Sequence, residues 1–331
     1  MKKMLNTIGN TPMIKINYEY KGKKSYVYTK LEFYNLSGSI KDRVAYYIIQ
    51  NAKKRGELKE GQTIVEATSG NTGIAIAALG RYYKHPVVIF MPDWASVERI
   101  KLMKGYGAKV ILFSKEEGGF IRCVEEAKRM AEKEGAFLAN QFANEDNFLA
   151  QYETTGEEIV NELPEKVGGF ISGVGTGGTL MGIGKRLKKE YEGFKIVAIE
   201  PDKMPLISQG KILGSHKIEG IGDDFIPDLV DKNVIDDIFL INDNDAINMS
   251  RILANELGLG VGISSGANLI GSILLNEKNN KPTVTVFADD NKKYLTTDLS
   301  KEVVKNSWKG NKRISWSKKL PTLGQTVMNI I

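Results

Sequence analysis

"GVGTGGT", residues 173–179, decides the fold. It follows the apolar pair Phe170-Ile171 and precedes the helix-forming run "LMGIGKRLKKEY", so it reads as a glycine turn between a strand and a helix. Gly173, Gly175 and Gly178 satisfy G-x-G-x-x-G. The strand after them carries Glu200, at about the distance where a dinucleotide-binding unit places an acid on a ribose. The same turn also has a more general meaning. Glycines let the backbone approach any phosphate, and a helix N-terminus supplies free N–H donors and a partial positive charge. Thr176 and Thr179 add hydroxyls, which suit the three oxygens of a phosphate monoester better than a pyrophosphate. Glycines kept for packing alone are the remaining reading.

Outward from this turn, strand and helix alternate. "TIVEA", "PVVIFMP", "AKVILF", "GGFIS", "KIVAIEP" and "TVTVFA" are short apolar runs, and helical patterns separate most of them. This alternation predicts parallel strands buried on both faces by helices, an α/β fold. "EDNFLAQYETTGEEIVNEL" reads as one helix. Two strand–glycine–helix units, around "EATSGNTG" and "SGVGTGG", predict two α/β lobes with a ligand cleft between them. The expected division is an N-terminal lobe over 1–145, whose first strands are free to join the other sheet. A C-terminal lobe over 146–310 carries the phosphate turn, and an irregular basic tail covers 311–331. Residues 202–235 hold few periodic signals, as in a functional or mobile loop.

The second turn, "EATSGNTG" (66–73), offers Thr68, Ser69, Asn71 and Thr72 beside open backbone N–H groups. Such a set suits a carboxylate at a helix N-terminus. Ordinary capping is the alternative, but a cap needs one such residue, not four within five positions. In "NLSGSIKDRVAYYII" (35–49), Lys41 falls near a helix start. A cation is electrostatically misplaced there, and the helix field favours its neutral, nucleophilic form. A solvated surface lysine is the plain alternative.

Bulk composition narrows the classes. The net charge of +6 is mild, and much of the excess lies in "KEVVKNSWKGNKRISWSKK". A solvated tail explains it, since no nucleic-acid motif accompanies it. The single cysteine, Cys123, precludes an intrachain disulfide and fits a reducing, cytoplasmic setting. With only two histidines, His85 and His216, neither a thiol–imidazole pair nor a zinc site is expected, and no metal is assigned. There is no apolar signal core or membrane-length segment, so neither membrane nor nucleic acid is an expected partner.

"SGSIKDR", "EATSGNTG" and "GVGTGGT", in this order and spacing, resemble the fold-type II pyridoxal-phosphate enzymes of the cysteine synthase and cystathionine β-synthase group. The likeness runs from "IGNTPMIKI" to about "KKYLTTDL". It implies the two-lobed architecture of the tryptophan synthase β-subunit, pyridoxal 5'-phosphate in the cleft, and a homodimer. Carried over by motif, Lys41 forms the internal Schiff base and moves the α-proton. Gly175, Thr176, Gly177, Gly178 and Thr179 hold the cofactor phosphate, and Asn71 meets the ring hydroxyl. Thr68, Ser69, Asn71, Thr72 and Gln141 receive the carboxylate of a small amino-acid substrate. Ser264, in "GISSGA", faces the pyridine nitrogen. A neutral serine does not force that nitrogen to stay protonated, so loss of a β-substituent competes well against transamination. The implied reaction is β-elimination or β-replacement on cysteine- or serine-type amino acids through an aminoacrylate.

Departures from the cysteine synthase pattern bear on the substrate. Where G-I-G-A-G-F is usual, this chain has "GIGDDFIP" (220–227), with Asp224 matching cystathionine β-synthases. "ADDNKKY" (288–294) leans the same way, and "MPDWASVER" carries Trp94 and Ala95 where Thr and Met are common. A carboxylate at the entrance repels hydrosulfide by about 1 kcal/mol per close contact. It also serves as a base towards water or a thiol. Asp224, with Asp223 beside it, is therefore expected to favour sulfide release from L-cysteine, closed by water or a thiol to give serine or a thioether such as lanthionine. Two solvated turn aspartates are the plain alternative. Cysteine synthesis from O-acetylserine is the second reading within the class, and an NAD-dependent oxidoreductase using Glu200 is the rival outside it.

Overall fold

The computed structural model describes residues 4–301 and the short strand 328–330. Strands β1 (Met13–Tyr20) and β2 (Lys23–Leu31) form a hairpin turned by Lys21 and Gly22, both at positive φ (51° and 74°). That two-residue turn matches the twist of the strands it joins. Ile16, Tyr18 and Tyr20 point inward from β1 while Lys15 and Asn17 face out, the period of two expected of a strand with one buried face.

The small sheet follows. The chain runs through α1 (Lys41–Arg55), β3 (Ile64–Ala67), α2 (Asn71–Tyr82), β4 (Val87–Pro92), α3 (Val97–Gly105), β5 (Lys109–Phe113), α4 (Gly119–Glu134) and β6 (Phe137–Leu138). Its strands are all parallel, in the order β5-β4-β3-β6. Every residue of β3 and β4 is buried, because helices cover both faces. Ile48, Ile49, Leu79 and Ile89 fill one side, and Val65, Phe90, Cys123 and Ala127 the other.

Next come α5 (Glu145–Ala150), a π-helical turn at Gln151–Thr155, and α6 (Gly156–Glu162). The single helix expected there is thus present but widened by one π turn. The large sheet is completed by β7 (Gly169–Gly173), α7 (Gly178–Glu190), β8 (Lys195–Pro201), α8 (Leu206–Gln209), β9 (Asp237–Ile241), α9 (Asp243–Leu257), α10 (Ile263–Asn279), β10 (Thr283–Phe287) and β11 (Met328–Ile330). Its order is β11-β1-β2-β10-β7-β8-β9. β2 joins β10 in parallel, so the opening hairpin belongs to this sheet. Of the tail expected to be irregular, Met328–Ile330 instead pair antiparallel with Tyr18–Tyr20. The rest of that tail lies outside the described residues. Among the described residues, no helix is long and apolar enough to cross a membrane.

One buried charge network fixes α1. Arg43 pairs with Glu32 at 2.7 Å and Glu158 at 2.5 Å, and Lys30 pairs with Glu158 at 2.9 Å and Glu162 at 2.8 Å. Hairpin, α1 and α6 are thereby tied two residues from Lys41.

Candidate active site

A cavity of about 880 Å³ opens where β3, β4, β7 and β10 end, lined by elements of both sheets. Crevices at the carboxyl ends of parallel strands are where α/β sheets bind ligands. Lys41, Thr68, Ser69, Asn71, Thr72, Gln141, Gly175, Thr176, Gly177, Thr179, Asp223, Asp224 and Ser264 all line it. These residues come from segments more than two hundred positions apart, from Lys41 to Ser264, and the fold brings them to one place.

Lys41 opens α1. Asp42 accepts from Ser37 N and Ser37 Oγ at 2.8 and 2.6 Å, closing the small-residue turn, while Ile40 N donates to Ala288 O at 2.9 Å. The turn is therefore pinned to the end of β10. Burial pulls the Lys41 amine down to about 8, with Asp223 opposing. Withdrawal from water disfavours the charged amine. Burial and then Asp224 push the Asp223 carboxyl up to about 6, against the pull of Lys41.

The first turn of α2 forms a second wall. Thr72 Oγ1 donates to Gln141 Oε1 at 2.5 Å, and Gln141 Nε2 donates to Ala67 O at 3.0 Å. Behind them the buried Glu66 accepts from Gln141 N at 3.0 Å. Asn71 Nδ2 donates to Asp289 Oδ2 at 2.8 Å, leaving Asn71 Oδ1 buried without a hydrogen-bond partner among the described residues. Tyr294 Oη donates to the same Asp289 oxygen at 2.9 Å.

The glycine turn divides its labour differently from its pattern. A side chain on Gly175 would meet Gly220 O at 2.3 Å, and one on Gly173 would meet Ile221 at 2.6 Å. Both glycines admit the 220–222 loop, which carries Asp223 and Asp224 behind it. Gly177 has a φ of +87°, a backbone that glycine adopts without steric cost. Gly178 opens α7 beside the turn. Its missing side chain makes room for Asn147, whose Oδ1 lies 2.1 Å from where a Cβ would stand.

Glu200 does not face the cavity. Its carboxylate accepts from Ile207 N and Ser208 N, capping α8, so it is not free to grip a ribose. Cys123 is buried with its thiol pushed up to about 12 by burial, as befits a packing residue. Sequence reading missed Asn147, Asn268 and Asp289. Asn268 Oδ1 accepts from Gly173 N at 2.9 Å and its Nδ2 donates to Val286 O at 2.8 Å, joining β7 to β10. A legible signal existed for Asp289 alone, in the departure "ADDNKKY".

A family model described as pyridoxal-phosphate dependent enzyme matches residues 4–289. The chain belongs to that family. It is 40% identical over 295 residues to a cysteine synthase of Staphylococcus aureus, covering 88% of this chain and 94% of the relative. It is 50% identical to a hydrogen sulfide-producing enzyme of Fusobacterium nucleatum, with a TM-score of 0.87 over 90% of each chain. An aspartate-to-asparagine variant of a hydrogen sulfide-producing enzyme, complexed with an α-aminoacrylate intermediate, also has 50% identity. Its TM-score is 0.88, covering 91% of this chain and 93% of its own. The chain is a pyridoxal-phosphate enzyme, and the dinucleotide reading falls.

The residues present fit that cofactor. The N-terminus of α7 with two threonines suits its phosphate, Asn71 Oδ1 is a buried acceptor still to be satisfied, and Lys41 supplies an amine of lowered pKa. With the amine near 8 instead of 10.5, the rate at which cofactor-free protein captures pyridoxal phosphate should reach half its maximum near pH 8 and level off above about 9. Asp223→Asn removes the anion that raises this pKa and should move the midpoint to lower pH. Stopped-flow reconstitution across pH 6 to 10 checks both shifts.

Proposed function

We propose that this enzyme acts on L-cysteine by β-elimination, releasing sulfide, and closes the reaction with water or a second thiol. One observation carries the reading. The lowered-pKa amine of Lys41 shares its cavity with two adjacent carboxylates, Asp223 and Asp224. Bound pyridoxal phosphate supplies electron withdrawal from the substrate α-carbon, which weakens the Cα–H bond and lets the β-substituent leave.

The chain's residues do the rest. Lys41 Nζ, neutral at mildly alkaline pH, takes the α-proton as general base. Ser69, Asn71 and Thr72 at the start of α2, with Thr68 and Gln141, receive the substrate carboxylate, and the helix end favours that anion. Gly175, Thr176, Gly177 and Thr179 hold the phosphate. Ser264, a neutral partner for the pyridine nitrogen, leaves that nitrogen free to lose its proton. Asp223, ionised above about pH 6, is suited to accept a proton from water or a thiol. With Asp224 it lays negative charge across the entrance and disfavours return of hydrosulfide. The relatives that produce hydrogen sulfide support this direction.

Cysteine synthesis is the second reading, favoured by the identity to the staphylococcal cysteine synthase. L-cysteine supplied alone separates the two. Sulfide with serine or lanthionine supports elimination, whereas inert cysteine together with turnover of O-acetylserine and sulfide supports synthesis. Asp224→Ala should shift the ratio of serine to thioether, and an unchanged ratio would remove Asp224 from the second half-reaction. A cytoplasmic homodimer completes the proposal. A single, buried cysteine suits a reducing compartment, and the dimer follows from the resemblance.

A further inference from the structure

We infer that Asn147 is a positioning residue that fixes the donor direction of Thr176 and locks the phosphate turn to the substrate-carboxylate wall. It rests on the roles proposed above for Thr176 and Gln141. Asn147 is fully buried in α5, beneath the cavity floor. Its Nδ2 donates to Gln141 O at 2.7 Å and to Thr176 Oγ1 at 2.8 Å. A backbone carbonyl only accepts, so Gln141 O settles which end of the amide carries the protons. The second proton then goes to Thr176.

Chemistry follows from that polarity. Thr176 Oγ1 spends a lone pair on Asn147, so its own proton turns elsewhere, and Thr176 lines the cavity. A phosphate offers only acceptors, so the hydroxyl arrives already set as a donor. Through Gln141 the same amide reaches Thr72, which donates to Gln141 Oε1. Gly178 belongs to the device, because any side chain there would displace the amide.

The test is a double-mutant cycle on the holoenzyme, read as the dissociation constant of pyridoxal phosphate. Thr176→Val and Asn147→Ala should each weaken binding by about tenfold, the worth of one hydrogen bond to a charged group. The double variant should lose little more than either alone. Asn147→Ala should also move the phosphorus-31 resonance of the bound phosphate in the direction that Thr176→Val moves it. Additive losses, or a resonance unmoved by Asn147→Ala, would overturn this inference alone. No loss from Thr176→Val would overturn the phosphate assignment as well. If Asn147→Ala does not fold, hydrogen exchange of the Asn147 amide in the wild-type holoenzyme decides. Both protons should be strongly protected, and rapid exchange of either overturns the inference.

Discussion

Lys41→Ala should lower kcat on L-cysteine by at least about 10³-fold, the scale of losing a positioned general base. Among the described residues, the neighbouring amines are committed elsewhere. Lys217 and Lys301 are paired with Asp298, Lys115 lies over the Trp94 ring at 5.5 Å, and Lys293 donates to Gly38 O at 2.6 Å. Compared in cofactor-free form, the variant should melt no lower than the wild type, since a buried amine whose charge is disfavoured does not support the fold. Steady-state kinetics with a thermal melt test both halves. Activity within tenfold of wild type would remove Lys41 from proton transfer.

Arg43→Met should cost about 3–5 kcal/mol of stability, the penalty for leaving the buried Glu32 without its cation and Glu158 with Lys30 alone. Glu32 and Glu158 both face Arg43, and its side chain is 1% exposed. Glu158 shows how the loss depends on pH. Burial pushes its carboxyl up, but the hydrogen bonds and charge of Arg43, joined by hydrogen bonds from Asn10 N and Lys30, outweigh that and hold it at about 2, below the ordinary 4.5. A depressed carboxylate stabilises the fold above its unfolded pKa, and that contribution fades as pH falls through the folded value. The gap between wild type and Arg43→Met should therefore be widest above about pH 5 and narrow towards pH 2. Denaturant melts at pH 7 and pH 3 check this, and a gap independent of pH would show that the charge pairing contributes little.

How much of this was legible in the sequence depends on range. The parallel strands announced themselves through short apolar runs such as "PVVIFMP", and Lys41 through its turn, because local chemistry dictates both. Pairing of β2 with β10 joins residues some 250 positions apart, and no periodicity encodes that. The glycines show the same limit. G-x-G-x-x-G was visible, but that Gly173 and Gly175 admit the 220–222 loop depends on a loop that returns some 45 residues later. Asn147 looked like an ordinary helix residue, because its two acceptors lie on different turns. Glu200 illustrates the reverse error. Its spacing was right for a ribose, yet the short helix after it claims both oxygens.

Borohydride reduction of the yellow holoenzyme, followed by peptide mass mapping, goes straight to the central claim. The account predicts the reduced cofactor on the peptide containing Lys41 and on no other lysine. Label on a different lysine, or a colour that washes out with every lysine unmodified, would contradict it.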